Sequence, residues 1–157
     1  EKRWGYAGCQ AVFVHMFTLD GVPFVYNGQE IADTARHRIF GRAPIHWLRA
    51  ETYEGEMRFA FLRKMCTMRK TEQALTKGAL EWLDNDRPES VVSYLRTLNG
   101  EEILTVINFS NHPIRVNIQD LEDVSNKPFR VLLSDFIGGG PREGFETQGY
   151  GHWVGKR

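Results

Sequence analysis

Near residue 75 the apolar residues change period, and that change restricts the chain to a mixed fold with two differently built parts. Before it, the spacing is helical. Trp4, Ala7, Ala11, Val12, Phe13, Val14, Met16, Phe17 and Leu19 form a run broken only by Gln10 and His15. A helix this apolar has to be covered on most sides. Asp20-Gly21 ends it, with Gly21 suited to a left-handed cap. A second helix is predicted over 52–70, where Met57, Phe61, Met65 and Met68 recur at helical spacing beside Leu62 and Cys66. Glu54 and Glu56 near its start and Arg63, Lys64, Arg69 and Lys70 near its end complement the helix dipole. The methionines read as core.

After residue 75 the spacing alternates. Leu80 and Trp82 precede a turn at 84–88, and 91–96 and 103–109 read as strands joined by the hairpin signal Asn99-Gly100. Ile114, Val116 and Ile118 alternate, 129–133 reads as a strand, and Tyr150, Trp153 and Val154 belong to a last one. Gly138-Gly139-Gly140-Pro141 reads as a flexible turn. Several short strands separated by turns predict an antiparallel β-sandwich. The chain therefore divides into an incomplete α/β part over 1–74 and an all-β part over 75–157, with the boundary near 71–76.

Between the two predicted helices lies Gly21-Val22-Pro23-Phe24-Val25-Tyr26-Asn27-Gly28-Gln29-Glu30. Val22 to Tyr26 is too short for a helix and continuously apolar, so it reads as a strand buried on both faces, as in a parallel sheet. Functional groups of α/β folds gather where such strands end, which makes Tyr26, Gln29 and Glu30 candidates for the wall of a cleft. Residues 31–50 then mix charge, aromatic and turn residues with little period. Their four arginines, with His37, His46 and Trp47, could line a polar cleft or simply cover a solvated loop. His15, alone on an apolar helix, reads as a hydrogen-bonded packing residue.

Composition excludes some classes of partner. Lys plus Arg and Asp plus Glu number 20 each, so no net field favours nucleic acid or an anionic membrane. No apolar run approaches the ~20 residues a membrane-spanning helix needs. Cys9 and Cys66 read as two buried free thiols, and a disulfide between them requires the two helices to lie side by side. The five histidines lack paired metal-ligand spacing, and no loop offers a recognisable oxygen cage for calcium. No cofactor or metal is expected. There is no Gly-x-Ser-x-Gly elbow and no phosphate loop. Asn108-Phe109-Ser110 fits a glycosylation acceptor by chance, since it sits at a strand end. The first residues, Glu1-Lys2-Arg3-Trp4, show no signal-peptide core and read as the start of a piece of something longer, so they assign no compartment.

In order along nearly the whole chain, these segments resemble the end of an α-amylase-type glycoside hydrolase, the large retaining family acting on α-glucans. Residues 21–30 resemble the G-x-P-x-x-Y-x-G-x-E pattern of the family's last barrel strand. Pro44-Ile45-His46-Trp47 is similar to the Pro-Met-x-Trp that follows, and Leu62-Arg63-Lys64 resembles part of the last barrel helix. Residues 82–86, 94–96 and 106–110 resemble the opening of the small β-domain after the barrel, and 149–154 its closing strand. The resemblance implies that 1–74 supply the last strand and helices of a TIM barrel and 75–157 a C-terminal β-sandwich domain. It implies an α-glucan or oligosaccharide substrate for the whole enzyme. There is one departure: Glu30 is followed by Ile31-Ala32-Asp33 where the family often has Gly.

The same resemblance implies a nucleophilic Asp, an acid/base Glu and a stabilising Asp on earlier barrel strands, the last within Asn-His-Asp. No Asn-His-Asp occurs in this chain. Retaining hydrolysis needs two carboxyl groups about 5–5.5 Å apart, and Glu30 and Asp33 read as rim residues rather than such a pair. The expectation is therefore no catalytic residue within the chain, no activity of the chain alone, and a β-domain that packs on the barrel. Bare barrel elements imply self-association. The alternative is a carbohydrate-binding β-sandwich module using Trp82, Tyr94, Tyr150 and Trp153; coplanar exposed rings favour it, and burial of Trp82 and Trp153 disfavours it.

Overall fold

A computed structural model describes residues 3–36, 40–119, 121, 128–136, 138–141 and 144–157. Helix α1 spans Gly5–Thr18, α2 Tyr53–Thr71 and α3 Gln73–Lys77. The strands are β1 Ala79–Trp82, β2 Val91–Leu98, β3 Glu101–Asn108, β4 Ile114–Val116, β5 Arg130–Ser134, β6 Gly138–Gly140, β7 Gly144–Thr147 and β8 His152–Lys156. They form an antiparallel five-stranded sheet ordered β1-β2-β3-β8-β5 and an antiparallel three-stranded sheet ordered β4-β7-β6.

Local chemistry accounts for the element ends. Thr52 caps α2 by accepting the Gly55 N–H at 3.2 Å on its side-chain oxygen, with Glu54 and Glu56 in the first turn and Arg69 and Lys70 in the last. The β2–β3 register closes at Leu98 opposite Glu101, and Asn99 (φ 52°) and Gly100 (φ 81°) supply the two left-handed positions of a tight hairpin.

The five-stranded sheet is a middle layer. Phe13, Val14, Phe17, Leu62, Met65 and Leu75 of the helices form one core with Ile103, Ile107, Leu133 and Val154 of the sheet. On the other face Val91, Leu95, Leu104, Val106 and Trp153 form a second core with Val116 and Phe145 of the small sheet. Strand β3 therefore sends alternate residues to both cores, and Ile103 to Asn108 are all buried. Each fully buried Ile, Leu, Phe or Met contributes roughly 1.5–3 kcal/mol. An exposed ion pair contributes up to about 1 kcal/mol. Apolar contact across residue 75, rather than surface charge, joins the helices to the sheet.

Polar reinforcement comes from buried arginines. Arg69 donates to the carbonyls of Phe17 (2.6 Å), Leu19 (2.9 Å) and Gly21. Arg96 of β2 donates to Thr18 O (3.4 Å) and Gly78 O (2.8 Å). Two guanidinium groups, from α2 and from the sheet, thus take up the carbonyls left over at the C-terminal end of α1.

Four sequence expectations need correcting. Residues 22–26 join neither sheet, because a parallel strand needs neighbours that these residues do not provide. Val22 and Phe24 are 94% and 71% exposed. Gly138–Gly140 is not a turn but β6, paired with β7, a strand that had no sequence signal of its own; backbone bonds alone make that ladder, and glycine leaves no period to read. The inward face of α2 is Gly55, Arg58, Leu62, Met65, Met68 and Arg69, whereas Met57 is exposed. The buried stripe is rotated because Arg58 and Arg69 bury their stems and donate to backbone. Finally, the cysteines are free, as expected, but Cys9 is half-buried and Cys66 exposed, on the face of α2 turned from the core.

Replacing Arg69 with Met keeps the apolar stem and removes three charge-assisted bonds to backbone carbonyls at the end of α1. The expected loss in urea unfolding is on the order of 3 kcal/mol. Arg63→Met, on the exposed side of the same helix, is expected to change stability by less than about 0.5 kcal/mol.

Candidate active-site wall

After α1 the chain crosses its outer face and tightens into a knot at 26–33. Gly28 (φ 90°) and Ala32 (φ 55°) both take left-handed backbone conformations. A side chain at Gly28 would also crowd Asp33 Cβ at 3.1 Å and Ile45 Cγ2 at 3.2 Å. Gly28 O accepts the N–H groups of Ile31 (3.3 Å) and Asp33 (2.9 Å). The Gln29 N–H donates to Tyr26 O at 3.0 Å, and Gln29 Oε1 accepts the Tyr26 N–H at 2.8 Å. Tyr26 and Gln29 are thereby locked together.

Asp33 holds the knot to the following loop. Its carboxylate is 2% exposed, accepts the Ala35 N–H at 3.2 Å and lies 3.2 Å from Nδ1 of the exposed His46. Burial pushes the Asp33 pKa up, but the bonds from Ala35 and His46 together outweigh it and hold the carboxyl below its ordinary range. Arg49 completes the tie, with Nε donating to Ala32 O at 2.8 Å and Nη2 to Glu54 at 3.1 Å. His37 and Arg38, part of the polar cleft read from sequence, lie outside the described residues.

Tyr26, Gln29 and Asp33 border a hollow of about 300 Å³ whose apolar side comes from Val12, Phe13 and Phe24. Arg58 also lines it, 1% exposed, stacked 4.2 Å over the Tyr6 ring and donating to Tyr6 O at 2.9 Å. Glu30 faces elsewhere, into a separate depression with Trp47, Phe59 and Arg63. The three wall residues expected from sequence are thus neighbours in the chain, but only Tyr26 and Gln29 share a hollow. Asp33 is the only acid among the described residues lining it, and it is held ionised. The hollow can accept hydrogen bonds and present aromatic faces; it offers no pair of carboxyl groups for retaining hydrolysis. Sequence reading missed the Asp33–His46 pairing, which joins residues 13 apart, and the place of Arg58, which its spacing four before Leu62 on the buried face would have disclosed.

The four aromatic residues of the β part do not form one surface. Tyr94 and Trp153 are buried, Tyr150 is half-buried, and Trp82 is 57% exposed. Trp82 meets Tyr94 at 5.1 Å between centroids with planes 68° apart. Asn108 is buried, its amide donating to His112 O, Thr147 Oγ1 and Gln148 O, and so does not present a glycosylation site.

No family model matches the chain. A 1,4-alpha-glucan branching enzyme of Trichodesmium erythraeum is 31% identical over 116 residues, 69% of this chain and 15% of that protein. The intracellular maltogenic amylase of Bacillus subtilis is 27% identical over 119 residues, 75% of this chain and 20% of that protein. Among solved structures, trehalose-6-phosphate hydrolase of Bacillus licheniformis superposes with a TM-score of 0.73 at 16% identity, covering 96% of this chain and 38% of that one. A maltogenic alpha-amylase from Thermotoga neapolitana does so at 0.72 and 22% identity, covering 98% and 37%. The sequence relatives and the solved structures that share this fold fall in one class, the amylase-like enzymes just named. Within that class the chain belongs to the α-amylase family, and it spans about a fifth or less of the length of these curated relatives.

Because Asp33 carries a lowered pKa, its contribution is present above about pH 4 and is lost as pH falls through its folded-state value. Asp33→Asn is expected to speed amide exchange at 26–35 at neutral pH by roughly tenfold, the equivalent of about 1.4 kcal/mol, with 103–107 unchanged. Hydrogen-exchange mass spectrometry checks both segments.

Proposed function

We propose that this chain is the C-terminal part of an α-glucan-acting glycoside hydrolase. Residues 1–74 supply the last strand and helices of its (β/α)8 barrel, and residues 75–157 its β-domain, whose role is to brace the barrel. In this reading Tyr26, Gln29 and Glu30 shape the barrel-end cleft, and the reacting carboxylates belong to other barrel strands. The whole enzyme cleaves α-glucosidic bonds of a glucan or oligosaccharide with retention.

The observation that carries the reading is the two-sidedness of the helical part. One side of α1 and α2 is fastened to the sheet through a shared core. On the other, Trp4, Val12, Val22, Phe24 and Tyr26 are exposed and apolar, and the alternating burial of 22–26 suits a strand. The sequence matches to a glucan branching enzyme and a maltogenic amylase add support. The sugar-binding-module alternative has less behind it, since only Trp82 of its four rings is largely exposed.

Assays of the chain alone on maltooligosaccharides and a nitrophenyl α-glucoside are expected to show no turnover. Turnover abolished by Glu30→Gln would overturn the proposal. The bare 4–26 face is also expected to drive self-association, seen as a concentration-dependent sedimentation coefficient. A monodisperse monomer in which Phe24→Ser changes nothing would remove that expectation.

A further inference from the structure

The knot at 26–33 has a second side. Its short helical turn, Gln29–Ile31, lies between the left-handed residues Gly28 and Ala32 and directs Glu30 and Ile31 away from the hollow at Tyr26. A second short helical turn, Trp47–Glu51, follows Ile45, whose carbonyl accepts the Trp47 N–H at 3.0 Å. Arg49 ties the two turns together through its bond to Ala32 O at 2.8 Å. Gly55 lets the second turn lie directly on α2, since a side chain there would collide with Arg49 O. On α2 itself Glu56, Phe59 and Arg63 fall at i, i+3 and i+7 and so share one face.

These elements border a depression of about 510 Å³, within the roughly 300–1,000 Å³ common to small-ligand sites. Trp47 and Phe59 line it, 57% and 50% exposed, and neither ring packs against another described ring. Glu30, Glu56 and Arg63 supply its charged groups. Among the described residues none of these three side chains is held in an ion pair or a side-chain hydrogen bond. Two acceptor groups and one planar fork of donors therefore stand open beside two aromatic faces.

That mixture matches the chemistry of a sugar ring. A pyranose offers C–H groups that cover an aromatic face and a rim of hydroxyls that donate to carboxylates and accept from a guanidinium. A protein partner fits less well, because charged residues are depleted from the middle of protein interfaces. We propose that this depression is a second carbohydrate site, which holds a short stretch of α-glucan against Trp47 and Phe59 with its hydroxyls on Glu30, Glu56 and Arg63. The site follows from its own side chains; the choice of an α-glucan rests on the proposed function. Glu30, set apart from Tyr26 and Gln29, accepts hydrogen bonds from the sugar on its own side of the knot.

The test is a titration of the isotope-labelled full chain with maltotetraose, up to millimolar concentration, followed by amide and indole NMR shifts. Saturable shifts are expected at 30–31, 47–51 and 56–63 and at the Trp47 indole. The Kd is expected to weaken at least roughly tenfold in Trp47→Ala and in Arg63→Met. Both side chains are exposed, so both variants are expected to fold; if one does not, the shift map of the unaltered chain decides. No saturable shift, or binding unchanged in either variant, overturns the site. Shifts centred on Phe24, Tyr26 and Gln29 also overturn it and put the sugar in the other hollow. Loss of binding in Trp82→Ala alone moves the sugar to the β part, with the same result. Cellotetraose, whose β-linkages flip each successive ring, is expected to bind more weakly; equal binding overturns the choice of an α-glucan. Turnover of maltotetraose by the chain would remove the proposed function and leave the shift map to judge this site.

Discussion

Two buried guanidinium groups at one helix end hold this structure in register. The C-terminal carbonyls of α1 point where the next residues turn away, and without partners they would be costly to bury. Arg69 reaches them from α2 and Arg96 from β2. Each arginine also spans between elements: Arg96 ties α1 to Gly78, where α3 passes into β1. The planar fork of arginine holds five donors in fixed directions, so one side chain can serve several carbonyls at once. Burial lowers both pKa values; at Arg69 the neighbouring Arg96 charge adds to the lowering, and at both Asp20 opposes it.

Around that junction the layers follow from a single strand. Strand β3 feeds two cores, one under the helices and one under the small sheet, so neither layer can be removed without exposing it. This explains how a change of periodicity at residue 75, which in sequence looks like a division, sits within one continuous apolar core. The helical part faces its core inward and leaves Val22, Phe24 and Tyr26 outward. That asymmetry is a property of this chain, and the proposed barrel gives it a reason.

Much of the β part was legible because its signals are local. Alternation marked β2 and β3, and Asn99-Gly100 fixed the hairpin between them. The helices were legible from their period, and His15 was identified as a bonded packing residue. What escaped were features whose cause lies elsewhere in the chain. The glycines of β6 pair through backbone alone. Arg58 and Arg69 look like surface residues until the carbonyls they serve are known. At the candidate wall, the sequence marked Tyr26, Gln29 and Glu30, but a left-handed turn at Gly28 and another at Ala32 set Glu30 apart from the other two.

The amino-acid sequence by itself determined the two long helices, the strands β2, β3, β5 and β8, the hairpin between β2 and β3, and the family, since period, turn residues and short motifs are carried by neighbouring residues. Only the tertiary structure decided which face of α2 is buried, that the helices and sheet share a core, which way the Asp33 carboxylate titrates, and which hydroxyl the His15 ring meets. Those outcomes depend on partners from 13 to 79 residues away in the chain. No local pattern encodes the distance between groups that meet only when the chain has closed.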